Sequence, residues 1–157
     1  MKKQILSIVL GLVMMAIGTT TYAADKNSNS GKRAAATEKA LKNFNKQFKS
    51  AVNTIINPSE DGFIVRSEIN GHKITSAYNK RGNWVYTING YSVTSLDKNI
   101  MEIAMPGYAN YFITAMEKVD QPGDNSVYIV HIEGSKSFKT LRVSNNVVEL
   151  VEDFTKA

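Results

Sequence analysis

The chain has no cysteine. That absence excludes disulfides, thiolate metal centres, thiol redox chemistry and the lipid-bearing cysteine that opens a mature bacterial lipoprotein. Stability must therefore come from a packed core. Histidine is nearly as scarce. The two histidines, His72 and His131, do not stand in an H-E-x-x-H or comparable metal-binding spacing. The frames of other chemistries are missing too. Gly134-Ser135 lacks the G-x-S-x-G frame of a presented nucleophile, and neither a G-x-x-x-x-G-K-[ST] phosphate loop nor an Asp-rich calcium loop occurs. No catalytic residue, cofactor site or metal ligand is assigned from the sequence.

Long apolar runs are also lacking. Past the N-terminus nothing approaches 18 consecutive apolar residues, so no membrane-spanning segment is expected there. The run that does exist, Ile5 to Ile17, follows Lys2 and Lys3 and leads into Thr21-Tyr22-Ala23-Ala24. It is shorter than the roughly 20 residues a span requires. A basic start, a short apolar segment and a small-residue end make residues 1–24 a secretory signal peptide, cleaved after Ala23 or Ala24. The expected product is periplasmic or secreted, soluble and without a membrane anchor. Its removal would leave 133 residues, the size of one ordinary domain, and would lower the net charge from +5 to +3. Much of that excess lies in Lys26, Lys32, Arg33, Lys39, Lys42, Lys46 and Lys49. A solvated helix face explains them, and no nucleic-acid partner is expected.

Residues 25–36, DKNSNSGKRAAA, have little to bury and read as a disordered leader. A domain is expected over 37–157. From Thr37, the apolar positions Ala40, Leu41, Phe44, Phe48 and Val52 recur at spacings of three and four, the stripe of an amphipathic helix. After the turn cluster Asn57 to Gly62 come short extended segments: Phe63 to Ile69, Lys73 to Asn79 and Asn83 to Ile88. Turns are read at Asn70-Gly71, Arg81-Gly82 and Asn89-Gly90, because Asn-Gly pairs tolerate the positive φ of tight hairpins. Thr94 is the expected N-cap of a second helix carrying Leu96, Ile100, Ile103 and Ala104, halted by Pro106-Gly107. Four further strands follow: Tyr111 to Val119, Val127 to Glu133, Phe138 to Val143 and Val147 to Glu152. The fold class is α+β, two short helices on one face of an antiparallel sheet. Helix-then-strands grammar appears twice, which points to tandem halves over 37–92 and 93–157.

Aromatic residues are the remaining binding candidates. Trp84 and Tyr86 are two apart on one predicted strand and so share a face, with Tyr78 near them across the hairpin and Tyr91 as an extension. That face is either a surface patch or the floor beneath the helices. His72 reads as a solvated loop residue, and His131 alternates with Val130 and Ile132 as expected on an uncovered face.

The segments Phe44 to Phe48, Ala51-Val52-Asn53, Tyr78-Asn79-Lys80-Arg81-Gly82-Asn83-Trp84, Tyr108-Ala109-Asn110-Tyr111-Phe112-Ile113 and Tyr128-Ile129-Val130 together resemble the PepSY-like family, small exported proteins of Bacteroidetes-type bacteria also described as β-lactamase-inhibitor-like. The likeness extends over about Ala40 to Asp153. One departure is Ile55 or Ile56 where such proteins often carry tryptophan. The resemblance implies helices against an antiparallel sheet, in tandem in the inhibitor-like relatives, and no enzymatic activity. The expected function is a non-catalytic exported module that binds a protein or peptide through an open sheet face, with hydrolase inhibition as one form of it. The alternatives are a small secreted enzyme using His131 or His72 with nearby carboxylates, and a structural envelope protein without a discrete ligand.

Overall fold

The computed structural model describes residues 30–92, 95–123 and 125–157, and Gly31–Ala157 form one compact unit. The expected signal peptide, residues 25–29 of the expected leader and the proposed cap Thr94 lie outside the described residues. Helix α1 (Ser30–Gln47) precedes strands β1 (Val52–Ser59), β2 (Gly62–Ile69), β3 (His72–Asn79) and β4 (Trp84–Tyr91). Helix α2 (Lys98–Ala104) precedes β5 (Tyr111–Gln121), β6 (Asn125–Gly134), β7 (Ser137–Ser144) and β8 (Val147–Thr155). All eight strands form one antiparallel sheet in sequence order. The helix-then-strands grammar is therefore real, with four strands in each half.

Several local expectations give way. Helix α1 starts at Ser30 rather than Thr37, and Ala36, assigned to a disordered leader, is buried against Phe63, Val65 and Tyr78. Three consecutive alanines are strong helix formers, and burying the last of them extends the helix upstream. At the other end Val52 leaves the helix for β1, a strand the apolar stripe concealed. Asn57, Pro58 and Ser59 belong to that strand, leaving Glu60-Asp61 as the turn. Pro58 is tolerated because β1 is an edge strand. His72 is likewise not in a loop but opens β3 opposite Ile69.

Turn chemistry was only partly predictive. Asn70 and Gly71 adopt φ of 51° and 78°, and Asn145 and Asn146 adopt 52° and 60°, as tight hairpin turns demand. Asn89-Gly90 makes no turn. Both residues lie inside β4, where Asn89 pairs with Ile74 on one side and Lys118 on the other. Its amide Nδ2 donates to Asp120 Oδ2 at 3.0 Å. Pairing on both sides, joining the two halves, outweighs the turn propensity of the dipeptide. Helix α2 is capped by Asp97, whose carboxylate accepts from the Asn99 and Ile100 backbone amides.

Directly paired residues share a face and neighbours along a strand alternate, so two sides of the sheet can be followed through the register. The near side carries Phe63, Val65, Ile74 and Tyr78, packed with Ala36, Ala40 and Phe44 of α1. Further along it carries Met116, Val130, Ile132, Leu141 and Val143, packed with Ala104 of α2. Side chains of the far side join neither group.

Candidate functional site

The four aromatic candidates do not form one patch. Tyr78 pairs with Trp84 but Ala77 pairs with Tyr86, so a bulge at Val85 inserts one residue into β4. The consequence is a change of parity. Trp84 stays on the near side against the first core, and Tyr86 turns to the far side. The i, i+2 rule that placed them together fails because it assumes an unbroken ladder.

Tyr78 is part of the near-side core at 2% exposure. Tyr86 is buried as well, and neither hydroxyl finds a hydrogen-bond partner among the described residues. Burial pushes the Tyr78 phenol up to about 12, with the nearby Ser76 hydroxyl pulling the other way. Burial also raises Tyr86. Trp84 is half-buried, and its Nε1 donates to Thr87 Oγ1 at 2.9 Å, next to the buried Ser76–Thr87 hydroxyl pair at 2.8 Å. Tyr91 belongs to the second core, with its ring 6.4 Å from that of His72.

Trp84 does border a near-side cleft of about 410 Å³, with Gln47, Lys118, Asp120, Gln121, Gly123 and Ser126 around it. Lys118, Asp120 and Ser126 of this lining are already engaged with one another. Asp120 accepts from Lys118 at 2.9 Å, Asn89 at 3.0 Å and Ser126 at 2.7 Å. The hydrogen bond to Asp120 holds the Lys118 ammonium above its usual range, against the opposing effect of burial. This network ties β4, β5 and β6 together at the meeting of the halves.

The far side presents a different surface. Among the described residues eight large apolar side chains are exposed, and the register places six of them there: Val52, Ile55, Phe112, Phe138, Val147 and Phe154. Phe112, Glu133, Phe138 and Phe154 lie directly opposite one another on β5, β6, β7 and β8. At about 4.8 Å per strand, that row spans roughly 14 Å. Lys156 Nζ pairs with Glu133 at 2.5 Å and sits 4.6 Å from the centre of the Phe138 ring. The phenylalanines were missed because the sequence-based search weighed tyrosine and tryptophan on one hairpin. Their common row appears only when four strands are placed in register.

Beside it runs a polar row. His131 pairs with Ala115 and Thr140, and Thr140 pairs with Glu152. Thr140 Oγ1 donates to Glu152 at 3.0 Å and lies 3.3 Å from His131 Nδ1, while His131 Nε2 faces Glu117 at 3.5 Å. The expected position of His131 on the face opposite Val130 and Ile132 is thus observed. Thr140 is buried, so its hydroxyl is engaged with neighbours rather than presented to a substrate. Among the described residues no group of three His, Asp or Glu side chains is placed to hold a metal ion, and no helix is long and apolar enough to cross a membrane.

No family model matches the chain, and no curated protein matches it. Solved structures do. A BLIP-like protein from Bacteroides fragilis superposes with a TM-score of 0.61 at 14% identity, covering 75% of this chain and 84% of that one. A DUF2874 family protein from Bacteroides ovatus gives 0.59 at 16% identity, over 83% and 89%. A candidate periplasmic protein from Bacteroides eggerthii gives 0.59 at 12%, over 86% and 90%. At such identities the likeness shows the fold, which is BLIP-like. None of the three is described as an enzyme.

Proposed function

We propose that this protein is an exported, non-catalytic binding module that engages a polypeptide partner through the side of its sheet opposite the two described helices. The observation that carries this reading is the segregation of apolar surface. Both helices contribute core residues on one side, while six of the eight exposed large apolar side chains among the described residues lie on the other. Exposed apolar surface concentrated on one face is the usual mark of an interaction site, and aromatic anchors supply most of the energy at such sites. The BLIP-like fold supports the same reading. Export is supported by the signal-peptide layout of residues 1–24 and by the candidate periplasmic neighbour. Membership of the PepSY-like family, argued from the segments between Phe44 and Val130, is part of this proposal.

Affinity capture from the envelope fraction tests it, using three baits: the unaltered chain, a Phe138→Ala/Phe154→Ala variant and a Trp84→Ala variant. The expected outcome is a species retained by the unaltered and Trp84→Ala baits and lost with the double variant. Retention by the double variant with loss at Trp84→Ala would move the site to the near-side cleft and refute the proposal.

A further inference from the structure

Charge on the far side of the second half is matched except at one place. Glu133 pairs with Lys156 and Glu149 pairs with Arg142. Among the described residues, Glu117 and Glu152 meet no lysine or arginine, only His131 and Thr140 between them. The Thr140 hydroxyl proton goes to Glu152, and His131 fills the space between the two carboxylates, its Nδ1 3.3 Å from Thr140 Oγ1 and its Nε2 3.5 Å from Glu117.

We infer that the Phe112–Phe138–Phe154 row and the Glu117–His131–Thr140–Glu152 row form one docking site for a polypeptide segment carrying a lysine or arginine beside an apolar side chain. The apolar group lies on the phenylalanine row and the cation meets the carboxylates that lack one. Charge complementarity selects this occupant: the far side of β5 to β8 bears Glu117, Glu133, Glu149 and Glu152 against Arg142 and Lys156, on a chain whose net charge is +5. An acidic segment would meet unmatched carboxylates and be rejected. The groups facing His131 are Glu117 from β5, Thr140 from β7 and Glu152 beyond it on β8. This inference rests on the far-side reading above and adds the chemistry of the partner.

The test is an NMR titration of the ¹⁵N-labelled protein with three blocked peptides of equal length built around Leu-Arg-Leu, Leu-Glu-Leu and Gly-Arg-Gly. The Leu-Arg-Leu probe is expected to bind saturably in the millimolar range, with shifts centred on residues 112–117, 129–133, 138–142 and 150–154. The other two probes should bind at least about tenfold more weakly, the equivalent of about 1.4 kcal/mol. Equal binding of Leu-Glu-Leu on the same residues overturns this inference and leaves the far-side reading standing. Shifts confined to near-side residues overturn both. Absence of saturation by Leu-Arg-Leu overturns the inference. Shifts of the same amides on dilution alone would identify a second copy of the chain as the occupant and overturn it as well.

Discussion

The two halves follow one plan and stabilise it differently. In the first, α1 has 18 residues, and Ala36, Ala40 and Phe44 enter its core. Side-chain bonds add to that packing: Lys39 Nζ donates to Asn83 Oδ1 at 2.7 Å, and Asn43 Nδ2 donates to the Gly82 carbonyl at 3.0 Å. In the second, α2 has 7 residues, and Ala104 is its buried member. Here Tyr91, Tyr108, Tyr111 and Tyr128 fill in around the shorter helix. The far sides differ in the kind of side chain they expose. The first half buries Ala77 and Tyr86 there and exposes Val52 and Ile55 on its edge strand, whereas the second buries Val119 and Ile129 and exposes the aromatic Phe112, Phe138 and Phe154. Two halves of like element order thus differ in which helix residues are buried and in where aromatic side chains are exposed.

The sharpest way to break this contrast is to empty the first core. Phe44 is fully buried between α1 and the sheet, so Phe44→Ala should cost about 3–5 kcal/mol in a urea titration. Removing Leu141, equally buried in the second core, should cost about 2–5 kcal/mol. If the halves fold as one cooperative unit, both substitutions lower a single transition. Two separated transitions in Phe44→Ala would show that the second half stands alone.

Much of this was legible in the chain, and the losses have specific causes. The two-helix, antiparallel plan followed from the Ala40-Phe44-Phe48 spacing, the alternating segments and the Asn70-Gly71 turn, because those signals are local. Strand β1 was hidden because Val52 continued the helical spacing by coincidence, and an edge strand with a largely exposed surface has no strong alternation. Asn89-Gly90 misled because nothing local shows that β5 will pair there. The aromatic candidates were scattered by a single bulged residue, Val85, which reverses the facing of Tyr86 relative to Trp84. The phenylalanine row was illegible for the opposite reason: its members are brought together by register across β5, β7 and β8 with no local spacing to announce it.

A smaller effect sharpens the comparison at the helices. Gly82 adopts φ of 73°, and a Cβ there would come 2.5 Å from the Ala36 carbonyl and 3.0 Å from Lys39 Cβ. Gly107, which follows α2, adopts φ of 93° but has open space around its Cα. Gly82→Ala should therefore combine left-handed strain of about 1–2 kcal/mol with displacement of α1, giving a total of about 2–4 kcal/mol. Gly107→Ala should show the strain alone, about 1–2 kcal/mol. Equal costs in urea titrations would mean that α1 yields as easily as solvent, contrary to a helix fixed over the β3–β4 turn.

The smallest difference lies in how the first half responds to alkali. Tyr78 is held neutral by burial, its phenol pushed up to about 12, while in the unfolded chain it ionises near 10. Between those values the unfolded state gives up the proton first, so stability is intact below about pH 10 and declines as pH rises toward 12. By about pH 11 the decline due to Tyr78 should be on the order of 1 kcal/mol. Tyr86, also raised by burial, acts in the same direction. Tyr78→Phe deletes a buried hydroxyl that makes no hydrogen bond of good geometry among the described residues but has the Ser76 hydroxyl nearby, so at neutral pH it should cost less than about 1 kcal/mol. It should also flatten the alkaline decline. Chemical denaturation of both proteins at about pH 7 and about pH 11 measures the difference of differences. A loss above about 1 kcal/mol at pH 7 would show that the Tyr78 hydroxyl makes a bond in solution, and an unchanged alkaline decline would assign the effect to residues outside the first core.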